Sequence, residues 1–258
     1  MTRLWGRVRG AWRFVALFGV ILWSVVLYGL DSRHRRDASS KARWLQLTCR
    51  RLLRVLAVSV ESKGQPAHGA VIVSNHMSYI DIVVMAASTP VVFVSKKEVR
   101  QWPLFGWFAE KAGTRFIDRN KRGDVARIAD EIEPVMAADL TVVMFLEGTT
   151  TDGRGVRPFR SSLLEPAVQK GWRIVPAALG YRVPQGRSVE QEVCWWGDMT
   201  LAPHLLNFTT LPWVTARISW GYAMPARGDR KILAEVLHQQ VVKLKAEQGT
   251  DSDKFQVF

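Results

Sequence analysis

Residues 70–87 read AVIVSNHMSYIDIVVMAA, and this stretch decides how the rest of the chain is read. Ala70–Ser74 is a short β-branched run suited to a buried strand, and Ile82–Ala87 has the composition of a helix. Between them lies the polar loop Asn75–Asp81, where Ser78 and Asp81 form a capping-box arrangement that starts the helix. On a regular helix His76 and Asp81 would be about 140° out of phase, at roughly 100° per residue. With His76 before the cap and Asp81 in the first turn, the carboxylate can instead reach back to the imidazole. That contact fixes the tautomer and stabilises the imidazolium, leaving the other ring nitrogen to take a proton. The heptapeptide alone also suits a plain capping aspartate beside an ordinary loop histidine.

Downstream the strand pattern recurs at Val91–Val94, Thr114–Ile117, Thr141–Phe145 and Ile174–Leu179, with a late strand at Trp213–Tyr222. Gly123–Ala138 and Ser161–Lys170 read as helices, and Asp229–Glu247 as a closing helix with Ile232, Val236, Val241 and Leu244 inward. This alternation predicts an α/β fold, a largely parallel sheet flanked by helices, preceded by an N-terminal membrane-anchoring helical segment. Ligands of such sheets sit beyond the carboxyl ends of the strands, so the loops there carry the chemistry. The cluster Trp102, Phe105, Trp107 and Phe108 suits contact with acyl chains, although such clusters are more often core or interface belt.

Upstream the character changes. Phe14–Leu30 is 17 residues without a charge, flanked by Arg3, Arg7, Arg9 and Arg13 before it and Arg33, Arg35 and Arg36 after it. As a helix it spans about 25 Å, slightly short of a ~30 Å hydrocarbon core. A cleaved signal peptide is disfavoured, because no small-x-small site precedes Asp31. Trp44–Val60, with Arg50, Arg51 and Arg54 among leucines, reads as a basic amphipathic helix that equally suits lying on an anionic bilayer or packing its apolar side on the domain; the adjacent apolar run favours the bilayer. Residues 1–60 are therefore expected to anchor the chain, as one span or as two helices dipping into one leaflet, and 61–258 to form the α/β domain.

Charge supports that division. The 258 residues hold 36 Lys+Arg and 23 Asp+Glu, a net +13, but residues 1–59 hold 12 against 2 and so carry +10 of it. A nearly neutral remainder argues against a nucleic-acid enzyme, whose basic face would cover the folded domain. A hydrophobic fraction of 48% excludes a disordered chain. Cys49 and Cys194 cannot build a disulfide framework, and neither has a metal-ligand spacing.

Two further strand-end loops stand out. Gly113–Arg119 places Arg115 and Arg119 around a strand end, where guanidinium forks can hold phosphate or carboxylate. Phe145–Thr150 puts Glu147, the flexible Gly148 and the hydroxyl of Thr149 beyond a strand that reads as central. His204, beside Pro203 and without an acidic neighbour, reads as structural.

In this order the motifs resemble those of the membrane-bound glycerolipid acyltransferases. Asn75, His76 and Asp81 match the family's Asn-His-x4-Asp block; Gly113, Phe116, Ile117 and Arg119 match Gly-x-x-Phe-Ile-x-Arg. Phe145, Glu147, Gly148 and Thr149 match Phe-Pro-Glu-Gly-Thr-Arg in part, and Ile174-Val175-Pro176 looks like the closing Val-Pro strand. Leu146 replaces the proline and Thr150 the arginine that the resemblance associates with an acceptor phosphate. Arg115, Arg119, Lys121 or Arg157 could cover that loss. The segment 150–162 and Trp196–Met199 look like the lyso-ornithine lipid acyltransferase branch.

The resemblance implies acyl transfer from acyl-CoA or acyl-carrier protein to a lysolipid hydroxyl, with His76 as general base and Asp81 orienting it. Arg115, Arg119, Glu147, Gly148 and Thr149 would bind substrate, and no metal, prosthetic group or nucleic acid is implied. The acceptor ranks as lysophosphatidic acid first and lyso-ornithine lipid second. The expected location is the bacterial inner membrane, catalytic domain on the cytoplasmic face, with oligomeric state left open. A non-catalytic scaffold of the same fold is the competing class, disfavoured by the intact His76/Asp81 pair. A His-Asp hydrolase would need a nucleophile elbow, and no G-x-S-x-G occurs.

Overall fold

A computed structural model describes residues 2–31, 37–118, 121–250 and 255–257. The chain runs α1 (Thr2–Leu30), α2 (Ala38–Leu56), β1 (Val58–Lys63), β2 (Val71–Ser74), α3 (Tyr79–Ser88), β3 (Val91–Lys96), α4 (Phe105–Lys111) and β4 (Arg115–Ile117). It continues α5 (Arg122–Ala137), β5 (Thr141–Met144), α6 (Glu165–Lys170), β6 (Arg173–Arg182), α7 (Val189–Glu192), α8 (Leu201–Thr209), β7 (Val214–Trp220), β8 (Met224–Pro225), α9 (Arg230–Thr250) and β9 (Gln256–Val257).

The strands form one sheet in the order β4-β3-β5-β2-β6-β7-β1-β9, with β8 on β6. From β4 to β6 every pair is parallel, as is β7 with β1; β6–β7, β1–β9 and β6–β8 are antiparallel. The predicted, largely parallel sheet is therefore present. Its central strands are buried on both faces, as covered parallel strands must be. Ile72, Phe93 and Val143 join one core with α2 and α3, while Val71, Val73 and Val142 join the other with α5 and α9.

Three expectations need correcting. The helix expected over Trp44–Val60 stops at Leu56, because Ala57 turns left-handed (φ 51°) and Val58–Lys63 pairs with β7. The division drawn between residues 60 and 61 thus falls inside β1. In α9, Ile232 and Val236 point outward and Leu233 and Leu237 are buried in their place, while Val241 is buried as expected and Leu244 is half-buried. The basic flank at Arg33, Arg35 and Arg36 lies outside the described residues.

α1 is long and apolar enough to cross a membrane over Leu4–Leu30. It is also tied to the domain at two places. Arg13 is buried and donates to the carbonyls of Thr209, Leu211 and Pro212, at the C-terminal end of α8, and Arg9 bonds the Thr210 carbonyl. Farther along, the Trp44 indole N–H donates to Ser24 O at 2.9 Å and the Thr48 hydroxyl meets Ser24 Oγ at 3.1 Å. The opposite face leaves Leu4, Trp12, Phe18, Leu22, Val26 and Leu30 exposed. α2, capped by Asp37 on the amides of Ser39 and Ser40, packs on α3, where Arg50 Nε donates to Ala87 O at 2.9 Å.

Candidate active site

β2 lies between β5 and β6, parallel to both, so the segments leaving their carboxyl ends meet. The first residue past β2, Asn75, extends the ladder with its side chain. Its Nδ2 donates to Leu179 O at 3.0 Å and its Oδ1 accepts from Leu179 N–H at 2.7 Å. This fixes where His76 emerges.

α3 then starts as the sequence predicts. Ser78 is the N-cap, its hydroxyl accepting from Ile80 N–H, and the capping box with Asp81 is complete. Asp81 is fully buried at the positive end of the helix and accepts four hydrogen bonds. Oδ2 faces His76 Nδ1 at 2.8 Å and takes the amides of Met77 (2.6 Å) and Ser78 (2.9 Å); Oδ1 takes the Tyr181 hydroxyl at 2.5 Å. The carboxylate places a proton on Nδ1, which leaves the Nε2 lone pair of His76 available. The imidazole stacks on Phe145, with centroids 4.0 Å apart and planes 11° from parallel.

The loop after β5 holds the His76 main chain from both sides. Buried Glu147 accepts His76 N–H through Oε1 at 2.6 Å and Arg157 N–H through Oε2 at 2.7 Å. Thr151 donates to His76 O from its amide (3.0 Å) and its hydroxyl (3.2 Å). Both Glu147 oxygens therefore face backbone amides, not an open cavity, and burial pushes its carboxyl pKa up, against the lowering effect of those amides. Gly148 turns the loop at φ 80°, and Thr149 is half-buried beside it.

The far end of the same loop rests on α9. Lys245 Nζ donates to Gly153 O at 2.6 Å and Gly155 O at 3.2 Å, and lies 3.7 Å from Met77 Sδ. Burial lowers the Lys245 pKa, a shift that Glu147 opposes. His238, two helical turns earlier, has its Nε2 3.0 Å from Val156 O. A Cβ on Gly153 would meet Cys194 Sγ at 2.9 Å and Met77 Sδ at 3.0 Å, so the loop sits directly on the residue after His76. Burial pushes the Cys194 thiol up to about 12, which keeps it protonated and un-nucleophilic. His204 is buried against the Tyr79 hydroxyl at 3.0 Å, a structural role as expected.

Not every candidate joins this group. Arg115 Nε bonds Glu131 O at 3.2 Å, and the residue lines a cleft of about 460 Å³ with Lys97, Arg100, Lys121, Asp124 and Arg127. That cleft contains none of His76, Asp81 or Glu147. Arg119 lies outside the described residues. Among the described residues no group of three or more His, Cys, Asp or Glu is placed to hold a metal ion. Sequence reasoning missed Tyr181, Thr151 and Lys245, because only the fold brings the first two to the dyad and the third to Met77 and the loop beside it.

Comparison with known proteins covers this same region. A family model described as acyltransferase matches residues 56–180. The chain is 35% identical over 183 residues to a lyso-ornithine lipid O-acyltransferase of Brucella abortus, covering 66% of this chain and 68% of the relative. It is 36% identical to one from Pseudomonas aeruginosa over 202 residues (77% and 75%), and 30% identical to a 1-acyl-sn-glycerol-3-phosphate acyltransferase of Neisseria meningitidis over 175 (66% and 68%). In fold it is similar to the 1-acyl-sn-glycerophosphate acyltransferase PlsC of Thermotoga maritima, with a TM-score of 0.71 at 16% identity over 96% of this chain and 98% of that one. A chain whose family match surrounds the His76–Asp81 pair, and which aligns with two thirds or more of such relatives, belongs to the acyltransferase family.

Proposed function

We propose that this acyltransferase esterifies the hydroxyl of a lysolipid using a thioester donor, acyl-CoA or acyl-carrier protein. The carrying observation is the His76–Asp81 pair at the carboxyl edge of the sheet, with Nε2 left free. In this mechanism Nε2 takes the acceptor's hydroxyl proton as its oxygen attacks the thioester carbonyl. Asp81 stabilises the imidazolium. As the C–S bond breaks, the leaving thiolate takes that proton back, so no acyl-enzyme forms. Glu147, Gly148 and Thr149 act by shaping the loop that holds His76, a positioning role in place of the substrate contact first expected of all three.

The acceptor we favour is lyso-ornithine lipid, which offers a carboxylate and an ammonium in place of a phosphate. Thr150 supplies no guanidinium for a phosphate, Arg115 is engaged by Glu131, and the Brucella and Pseudomonas relatives carry that activity in their names. This reverses the order drawn from sequence, which put lysophosphatidic acid first. The apolar face of α1 and the lipid-acyltransferase relatives point to membrane association. We place α1 along one leaflet, because its ties to α8 and α2 hold both halves on the domain. The bacterial inner membrane, cytoplasmic side, is where such donors are available.

The test incubates purified protein with a labelled donor and a panel of lysolipids and identifies the product by mass spectrometry. Acylated ornithine lipid as the main product is expected. Preference for lysophosphatidic acid, unchanged by Thr150→Arg, would overturn the acceptor assignment; transfer to no lysolipid would overturn the activity.

A further inference from the structure

We infer that the turn around Leu104 is a second membrane-inserting element, which enters the bilayer beside α1 and sets the height of the active site above the acyl chains. The inference rests on the proposed attachment of α1 to lipid and adds a contact formed by a different part of the chain.

Leu104, Phe105 and Trp107 are 45%, 40% and 38% exposed and stand together at one tip, where isolated exposed apolar residues would need no explanation. The tip is also strained. Phe105 N–H donates to Pro103 O at 2.7 Å, closing a three-residue turn around Leu104 at φ 65°, ψ −54°. That turn is rare and strained for any residue with a Cβ, and Gly or Asn would occupy it more easily. A large apolar side chain held there against its backbone preference, and facing water, is unfavourable twice over. Surrounding the tip with acyl chains removes the second penalty and gives the first a use.

The turn is rigid and keyed to α1. Gly106 N–H donates to Trp102 O at 2.8 Å, and a Cβ on Gly106 would fall 2.1 Å from Arg100 O, so the two limbs of the turn touch. Trp107 meets Tyr28 of α1 edge-on at 6.2 Å. Phe108 stacks on Trp44 of α2 at 5.5 Å, and Trp44 meets Tyr28 at 5.0 Å. Tyr28 lies on the side of α1 that packs on the domain, against Trp44, so these rings seat the turn directly against α1. The composition suits the acyl–headgroup boundary, where tryptophan concentrates.

At its base the turn reaches the catalytic loop. Trp102 packs edge-on against Trp195 at 5.8 Å, and Trp195 N–H donates to Met77 O at 2.8 Å, one residue from His76. A tip fixed in the membrane thus fixes the level at which His76 meets an acceptor whose tail stays in lipid.

Both native cysteines are buried, so one engineered thiol can carry a polarity-sensitive dye. The full chain, in proteoliposomes of phosphatidylethanolamine and phosphatidylglycerol, would carry the dye at Leu104→Cys, at Phe18→Cys on α1, or at Ile232→Cys on α9. Lipid-borne nitroxides should quench the first two labels and aqueous iodide only the third. Phe18 quenched from lipid with position 104 quenched by iodide alone would overturn the inference and leave α1 in the membrane. Iodide reaching both would remove the α1 reading as well. Leu104→Gly supplies a second readout, because it relaxes the turn and deletes the apolar tip together. It should fold at least as stably as wild type, partition into vesicles about tenfold more weakly, the scale of one buried leucine, and lose activity on bilayer lysolipid alone. Full activity on a bilayer acceptor would refute the insertion, as would an equal loss on a dispersed short-chain acceptor.

Discussion

The Tyr181 hydroxyl donates to Asp81 Oδ1 at 2.5 Å, across the carboxylate from the oxygen that faces His76. Burial and the negative charge of Asp81 hold the phenol pKa well above its ordinary value, so it stays a donor throughout the working range. It draws charge from the carboxylate that the imidazolium would otherwise use. Tyr181→Phe should move the acid limb of the kcat/KM profile upward by about half to one pH unit, with KM little changed. Rates measured across pH, with the melting temperature of each variant, check this; an unmoved limb would leave Tyr181 a purely structural residue.

Replacing His76 with alanine should lower kcat by about 10²–10⁴ while fold and vesicle binding persist, since its ring caps no backbone group. Asp81→Asn should lose activity too, but with a lower melting temperature, because the buried carboxylate also holds the Met77 and Ser78 amides. Circular dichroism melts beside turnover assays separate the two variants.

Glu147 provides a pH signature. Its folded pKa is raised by burial, so the folded state binds this proton more tightly than the unfolded chain does. The sign follows: stability associated with the protonated form is complete below the unfolded value near 4.5 and is lost as pH rises through the folded pKa. The melting temperature of wild type minus that of Glu147→Gln should therefore shrink as pH rises from acid toward neutral. A difference that widens would contradict the assignment.

Lys245→Met keeps the stem of the side chain but removes the donors to Gly153 and Gly155. Two carbonyls lose their partner, a cost of roughly 1–3 kcal/mol in stability. Protease sensitivity between residues 150 and 158 should rise and kcat should fall more than KM changes. Limited proteolysis read by mass spectrometry, beside steady-state kinetics, tests both.

What the sequence made legible follows the range of each interaction. The β2–α3 junction could be read because Ser78, Asp81 and His76 lie within six residues, so a local pattern carries the geometry. Strands β2 to β6 were legible from apolar runs bounded by polar loops. Tyr181 and Lys245 were not, since they reach Asp81 and Met77 across 100 and 168 residues. The end of α2 was hidden because Val58 and Val60 continue its apolar content, whether the backbone coils or extends. The first turns of α9 were mis-phased because Ile232 and Val236 are as apolar as the buried Leu233 and Leu237, so apolar content alone does not choose the inward face. Arg115 suited an anion site in sequence, but its nearest carboxylate partner, Glu131, lies on α5.

The contacts of Arg13 impose an order of events on synthesis. Its partner Leu211 lies 198 residues later in the chain. At about 5–20 residues per second, α1 leaves the ribosome roughly 10 to 40 s before the carbonyls that Arg13 needs exist. Throughout that interval a helix apolar enough to enter lipid carries an arginine whose carbonyl partners, at the end of α8 and just past it, have not been made. The final seat of α1 is consequently decided last, by the arrival of α8, although its sequence comes first. A chain stopped before residue 209 would keep the full apolar face of α1 and lack the site that receives Arg13, which makes the length of the nascent chain a timer for how this protein settles on its membrane.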